Sequence, residues 1–224
     1  MMFFLIFGQI KILRMKRILL TILAVFTLMG MLSAQDINAV FAKMPRDIVY
    51  GLNPDLNEEL LENPSDTAKY VSTAIYEKIK RRALNSEFIS LQTSDVGTVE
   101  IRLLPLINDS KIICVVKTVD SVIADSQISF YTEKWEPIDA QGLFPEKNIH
   151  WFLKSDIDQS TEQFEHAMKA LTLLPVKLTL SEDEAVIIAD FDAKSFLSIE
   201  DYKLVEPFLN KKSKVLKWDK VKFK

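Results

Sequence analysis

Three residues have types that offer nucleophilic chemistry. Cys114 could act as a thiol, with His150 or His166 as the activating base. A reactive thiolate needs an exposed, electropositive setting. Cys114 instead stands inside Ile112-Ile113-Cys114-Val115-Val116 and reads as a small buried hydrophobe. His150 adjoins Trp151 and Phe152, and His166 adjoins Glu165. Neither has a second histidine at ligand spacing, so both read as surface or partly buried side chains. Asp156-x-Asp158-x-Ser160 opens like a calcium loop, but Thr161 and Ala167 stand where that loop needs Gly and Glu. The same residues serve as caps for a helix that starts there. Asp190-x-Asp192 and Glu182-Asp183-Glu184 could supply paired carboxylates for acid–base work on a glycan. Acids beside a hairpin turn are normally solvated, and that is the favoured reading. The five glycines are unclustered, which excludes a Rossmann fingerprint or P-loop. There is no Gly-x-Ser-x-Gly elbow and no His-Glu-x-x-His. No catalytic residue, metal ligand or cofactor is assigned.

The C-terminus is more distinctive. Seven lysines fall in the last 14 residues, opposed by Asp219 alone. Lys214, Lys217, Lys220 and Lys222, with Trp218 interleaved, form the candidate interaction surface, a basic strand on an acidic body. The favoured reading is an edge strand guarded by lysines against aggregation, with Trp218 packed inward.

These residues must be positioned by α+β elements. Asp36 caps a short helix whose apolar residues Ile37, Val40, Phe41 and Met44 share one face. Pro45 ends it. Residues 51–66 read as loop with a helical turn, and Ser65 or Asp66 as the cap of a helix to Leu84, with Val71, Ile75 and Ile79 on one face. From Glu87 the period falls to two. Three strands follow: one through Val99, Ile101 and Leu103, a central one over residues 111–119, and one through Ile128 and Phe130. Their short links imply an antiparallel meander. Ser160-x-x-Gln163 reads as a capping box. A hairpin over residues 176–191, a Ser198-capped helix disturbed by Pro207, and a strand over residues 214–223 complete the chain. The expected fold is α+β, a mostly antiparallel sheet of about six strands with helices on one face.

The N-terminus reads as an address. Met15-Lys16-Arg17 precedes an apolar stretch over residues 18–31, and Leu32-Ser33-Ala34 supplies small residues before Gln35. That is the layout of a signal peptide over residues 1–34, with Met15 as the true start, and residues 35–224 as one secreted domain. No cysteine follows the apolar stretch, so a lipoprotein anchor is not supported. The expected location is the periplasm or cell envelope of a Gram-negative bacterium, with no membrane span after cleavage. The leader holds four bases and no acid, so its removal takes the net charge from −3 to −7. An acidic balance argues against nucleic-acid binding. Residues 35–210 carry −13.

The central strands resemble domain-of-unknown-function family 3256, secreted proteins found largely in Bacteroidales. The resemblance rests on Leu103-Leu104-Pro105-Leu106, Asn108-Asp109-Ser110-Lys111, Ile113-Cys114-Val115-Val116-Lys117-Thr118-Val119, Asp125-Ser126-Gln127-Ile128-Ser129-Phe130-Tyr131 and Trp135-Glu136-Pro137-Ile138. It extends over about residues 36–224. It implies export and a single domain. Many members carry two cysteines at positions matching Asp120 and Ala124, and this sequence has neither. The resemblance brings no established activity and so no catalytic residue.

The balance is against an enzyme. The expected function is a non-catalytic periplasmic or envelope binding domain whose partner is an envelope protein or glycan. The alternatives are a carboxylate-dependent hydrolase acting on envelope glycans, and an inhibitor or assembly factor that docks by strand addition.

Overall fold

The computed structural model describes residues 36–224 except 67, 68 and 76. The expected signal peptide lies outside the described residues. Helix α1 (Ile37–Phe41) is capped by Asp36, whose carboxylate accepts the Ala39 amide at 3.0 Å. Its apolar stripe buries Ile37, Val40 and Phe41. Helix α2 (Pro54–Leu61) is capped by Asn53 and carries Pro54 in its first turn, where no amide partner is lost.

Among the described residues, ten strands follow in antiparallel pairs. They are β1 (Tyr70–Val71), β2 (Ile79–Leu84), β3 (Phe88–Gln92), β4 (Gly97–Pro105), β5 (Lys111–Asp120), β6 (Ala124–Thr132), β7 (Pro137–Ile138), β8 (Lys177–Leu180), β9 (Val186–Asp190) and β10 (Lys214–Lys217). Strands β1 to β7 form one sheet in chain order, and a three-stranded sheet has the order β10-β9-β8. The fold is α+β, and the meander expected from the alternation is its centre. The helix expected over residues 65–84 is not formed. That stretch holds β1 and β2 instead, with Val71 paired to Ile79.

Arg81 explains the difference. On β2 it points inward and is 1% exposed, which the alternation of charge disguises. Its guanidinium donates to the carbonyls of Leu60, Glu62 (3.0 Å), Asn63 (2.7 Å) and Asp66. A cation is thus held at the C-terminal end of α2, where unsatisfied carbonyls favour positive charge. These contacts tie the loop after α2 to the sheet.

Period-two alternation divides the large sheet into two faces. Ile89, Leu91, Ile101, Leu103, Ile113 and Val115 face α1, α2 and Trp135, whose indole donates to Val40 O at 2.9 Å. On the opposite face Phe88, Leu104, Cys114, Val116 and Phe130 meet Leu178, Ile187 and Leu216 of the small sheet. Each such aliphatic side chain contributes about 1.5–3 kcal/mol by leaving water. A third cluster joins α3 (Glu162–Ala170) and α4 (Ile199–Val205) through Phe164, Ala167, Val205 and Leu209. The cap of α3 is Thr161, whose hydroxyl accepts the Phe164 amide, one residue later than the capping box places it. Pro207 acts as expected: α4 stops at Val205 and a 3-10 turn, Glu206–Phe208, follows.

The small sheet is sewn to the large one along β8. The amides of Val176, Leu178 and Leu180 donate to Asp125 Oδ1 (3.0 Å), Ser126 Oγ (2.8 Å) and Glu100 Oε2 (2.8 Å). Alternate amides of a strand edge, which would otherwise need another strand, are satisfied by side chains of β4 and β6. At the β8–β9 turn the buried Arg102 donates to the carbonyls of Ser181 (2.9 Å), Glu182 (3.0 Å) and Asp183 (3.3 Å). These contacts fix β8 and β9, and therefore the strand on which the candidate surface sits.

Candidate functional site

Strand β10 pairs with β9 on one side, from Lys214↔Ala189 to Lys217↔Val186. Alternation turns Leu216 into the core and Val215 and Lys217 to solvent, while Lys214 is half-buried. The chain continues inward to Trp218 and then turns back. Asp219 organises the turn by accepting the amides of Val221 (3.0 Å) and Lys222 (2.8 Å). Lys220 takes a left-handed conformation there, φ 74°. The return arm is pinned on both sides. Lys217 and Lys224 exchange backbone bonds at 2.8 and 3.0 Å, and the Phe223 amide donates to Leu143 O at 2.8 Å.

Trp218 supports this hairpin and is not part of its outer face. It is 9% exposed, packs against Phe223 with ring centroids 5.2 Å apart, and donates its indole N–H to Pro105 O at 2.7 Å. Lys217, Lys220 and Lys222 are exposed. Lys224 pairs with Asp219 at 2.8 Å, and Lys211 with Glu206 at 3.3 Å. Among the described residues, Lys217, Lys220 and Lys222 have no carboxylate within ion-pairing distance. The Lys224 ammonium holds the Asp219 carboxyl down at about 2, helped by the Lys222 amide.

Beside the hairpin runs an open groove of about 710 Å³. Ile128, Ala140, Phe144, Pro145 and Phe223 supply its apolar wall, and Lys222 stands on its rim. Phe144 is held edge-on against Trp151 and Phe223 at 6.1 and 6.0 Å. Lys147, also at the groove, is tied to Asp125 at 3.0 Å and to Ser126 O.

The other chemistry-bearing residues are not brought together in this way. Cys114 is fully buried. Burial pushes its thiol up, Glu100 adds to the rise, and Arg102 opposes it. His150 and His166 are exposed. Asp158 accepts both the amide and the hydroxyl of Ser160, at 2.9 and 2.6 Å. Asp192 caps a 3-10 turn by accepting the Lys194 amide, and Asp190 accepts the Ser213 hydroxyl. Glu182, Asp183 and Glu184 are exposed, while the carbonyls of the first two serve Arg102. Asp120 and Ala124 face each other across the β5–β6 hairpin, and Asp120 is paired with Lys177. Among the described residues, no three His, Cys, Asp or Glu side chains gather to hold a metal ion.

Of the further grooves among the described residues, two bear on the sequence reading. One, of about 520 Å³, joins Asp190, Asp192, Tyr202 and Glu206. The other, of about 650 Å³, lies at the far end of the large sheet between Tyr50, Val119 and Ile123. Val122, at the tip of the β5–β6 hairpin, is 79% exposed. An apolar pair at a tight turn, Val122-Ile123, where Gly, Asn or Asp is usual, is the sequence signal that marks this end.

The profile of the family described as "Protein of unknown function (DUF3256)" matches residues 29–223. No curated protein matches the chain. Among solved structures, a domain of an uncharacterized protein from Porphyromonas gingivalis W83 is similar, with a TM-score of 0.75 and 26% identity. The match covers 85% of this chain and 99% of that one. Among the described residues, no helix is long and apolar enough to cross a membrane.

Proposed function

This chain belongs to the DUF3256 family of proteins of unknown function, and from that premise we propose that it is an exported, non-catalytic binding domain that presents its C-terminal basic hairpin to a partner in the periplasm or cell envelope. One observation carries the reading. Lys217, Lys220 and Lys222 stand exposed and unneutralised on a hairpin pinned by its backbone, and Lys222 of that hairpin lines a groove with an apolar wall. Interfaces combine an apolar centre with a polar rim in this way. Unpaired surface charge steers an oppositely charged partner and speeds its encounter. The export half of the proposal rests on the charged, apolar and small-residue order of residues 15–34.

The alternatives draw less support. A glycan hydrolase needs two carboxylates free to face a scissile bond. In the groove that joins the sequence-expected pair Asp190 and Asp192, these two hold Ser213 and cap a turn, and Glu206 accepts Tyr202 and Lys211. Strand addition needs an open edge. The outward backbone groups of Lys217 are taken by Lys224.

The test is crosslinked capture from native envelopes with tagged residues 35–224, in parallel with Lys217→Glu/Lys220→Glu/Lys222→Glu. A saturable partner retained by the wild type and lost by the triple variant is expected. A partner retained equally by both would overturn the assignment of this surface.

A further inference from the structure

Building on that reading, we infer that the occupant of the groove is an acidic segment of an envelope protein that inserts one apolar side chain between Phe144, Pro145 and Ile128 while its carboxylates meet Lys222 and Lys220. The exposed lysines set the sign of the occupant. Of the cations at the groove, Lys147 is committed to Asp125 and Lys224 to Asp219. Lys222 is uncommitted, and Lys220 stands two residues away in the same turn. Among the uncommitted lining charges Lys222 is offset by Glu146, so the positive excess at this end is that of Lys220 in the same turn.

The wall fixes the rest of the chemistry. A groove of about 710 Å³ with aromatic and aliphatic sides accommodates one large side chain and rewards its desolvation. Lysine ammoniums are point charges without the planar fork that grips phosphate or a sugar acid in two places. Lys217 sits on the strand face and Lys220 and Lys222 on the turn, which suits carboxylates spaced along a peptide rather than one dense headgroup. A saccharide is recognised through stacking on an exposed indole or ring face as well as through polar groups. Trp218, the hairpin's own indole, is buried and its N–H is spent on Pro105. Phe144 meets its aromatic neighbours edge-on within the wall.

The hairpin backbone supplies preorganisation. Lys217, Phe223 and Lys224 are hydrogen-bonded to fixed partners before anything docks, so little ordering cost remains on this side of the interface.

The experiment uses a fluorescein-labelled 12-residue peptide of alternating Glu and Ser with one central Phe, titrated into residues 35–224 and followed by anisotropy. Its counterparts replace Phe with Ser, or Glu with Lys. Vesicles containing phosphatidylglycerol and a soluble polyuronate serve as rival anions. Saturable binding of the Phe peptide is expected, weakened at least tenfold by the Phe-to-Ser change, at least tenfold by Lys220→Glu/Lys222→Glu, and progressively by added salt. Hydrogen exchange over residues 140–147 should slow on binding. Both lysines are exposed, so the variant leaves the fold intact. Equal affinity for the Ser peptide would remove the groove from the account while leaving the basic surface in place. Tighter binding of vesicles or polyuronate would overturn the choice of a protein segment. No binding of any probe would overturn the inference itself. The broader reading would then stand or fall on the capture experiment with the triple variant.

Discussion

Glu100 Oε2 accepts the backbone amide of Leu180 at 2.8 Å, joining the middle of the large sheet to the edge strand of the small one. Through β8 and β9 this bond helps to fix β10 and the hairpin that carries the candidate surface. Burial pushes the Glu100 carboxyl up, while the Leu180 amide and Lys177 pull it back. A carboxyl raised in the folded state contributes stability that is complete below its ordinary range and is lost as pH rises through the folded value. Glu100→Gln keeps an acceptor for Leu180 without the buried charge. It should raise the unfolding midpoint at neutral pH, and the gain should disappear towards pH 4. Glu100→Ala leaves the Leu180 amide unpaired and should cost about 1–3 kcal/mol. Urea unfolding at several pH values reads both.

Arg81 should not be replaceable by lysine. Its fork reaches four carbonyls around the end of α2, and an ammonium cannot span them. Arg81→Lys should cost about 2 kcal/mol, since buried carbonyls lose their donors. Hydrogen exchange should rise first in residues 62–66.

Much of this was legible in sequence, and Arg81 marks where it was not. The alternation Val99, Ile101, Leu103 located β4, and the two-sided apolar run around Cys114 placed β5 in the centre. Pro207 ended α4 where expected. Over residues 65–84, Val71, Ile75 and Ile79 have helical spacing, and inward Arg81 reads as part of a solvated face. The carbonyls of residues 60–66, brought in by the fold together with the Asp66 carboxylate, make burial of that charge tolerable. The lysines of the C-terminal surface were visible as composition. The groove beside Lys222 was not, because Ile128, Phe144 and Phe223 come from three separate stretches of chain.

Cys114 should behave as a sealed hydrophobe. Burial holds its thiol in the protonated form. A disulfide reagent should modify no thiol in the native protein at neutral pH and one per chain in denaturant. Reaction in the native state would place the thiol at the surface.

Trp218 and the lysines should separate structure from binding. Trp218→Phe removes the donor to Pro105 O and should cost about 1 kcal/mol of stability while partner binding persists. Lys217→Glu/Lys220→Glu/Lys222→Glu should do the reverse, because exposed charges contribute little to folding. Thermal unfolding and binding, measured on both variants, give the crossed pattern.

Asp219 should make the hairpin turn acid-sensitive. Its carboxyl is held down to about 2 by Lys224 and the Lys222 amide. A lowered carboxyl contributes stability present above its ordinary value and lost as pH falls through the folded one. The turn amides of Val221 and Lys222 should therefore lose protection between pH 4 and pH 2 relative to the Leu178 amide, which is bound to Ser126. Nuclear magnetic resonance of those amides during acid titration reads the effect.

The most direct measurement of the central claim is site-specific photocrosslinking in living cells. One variant carries a photoreactive residue at position 222, and another at position 199, where Ile199 is 73% exposed on α4. The account predicts a discrete adduct from position 222 that disappears when Lys217 and Lys220 are changed to Glu, and none from position 199. An adduct from position 199 with none from position 222 would contradict it.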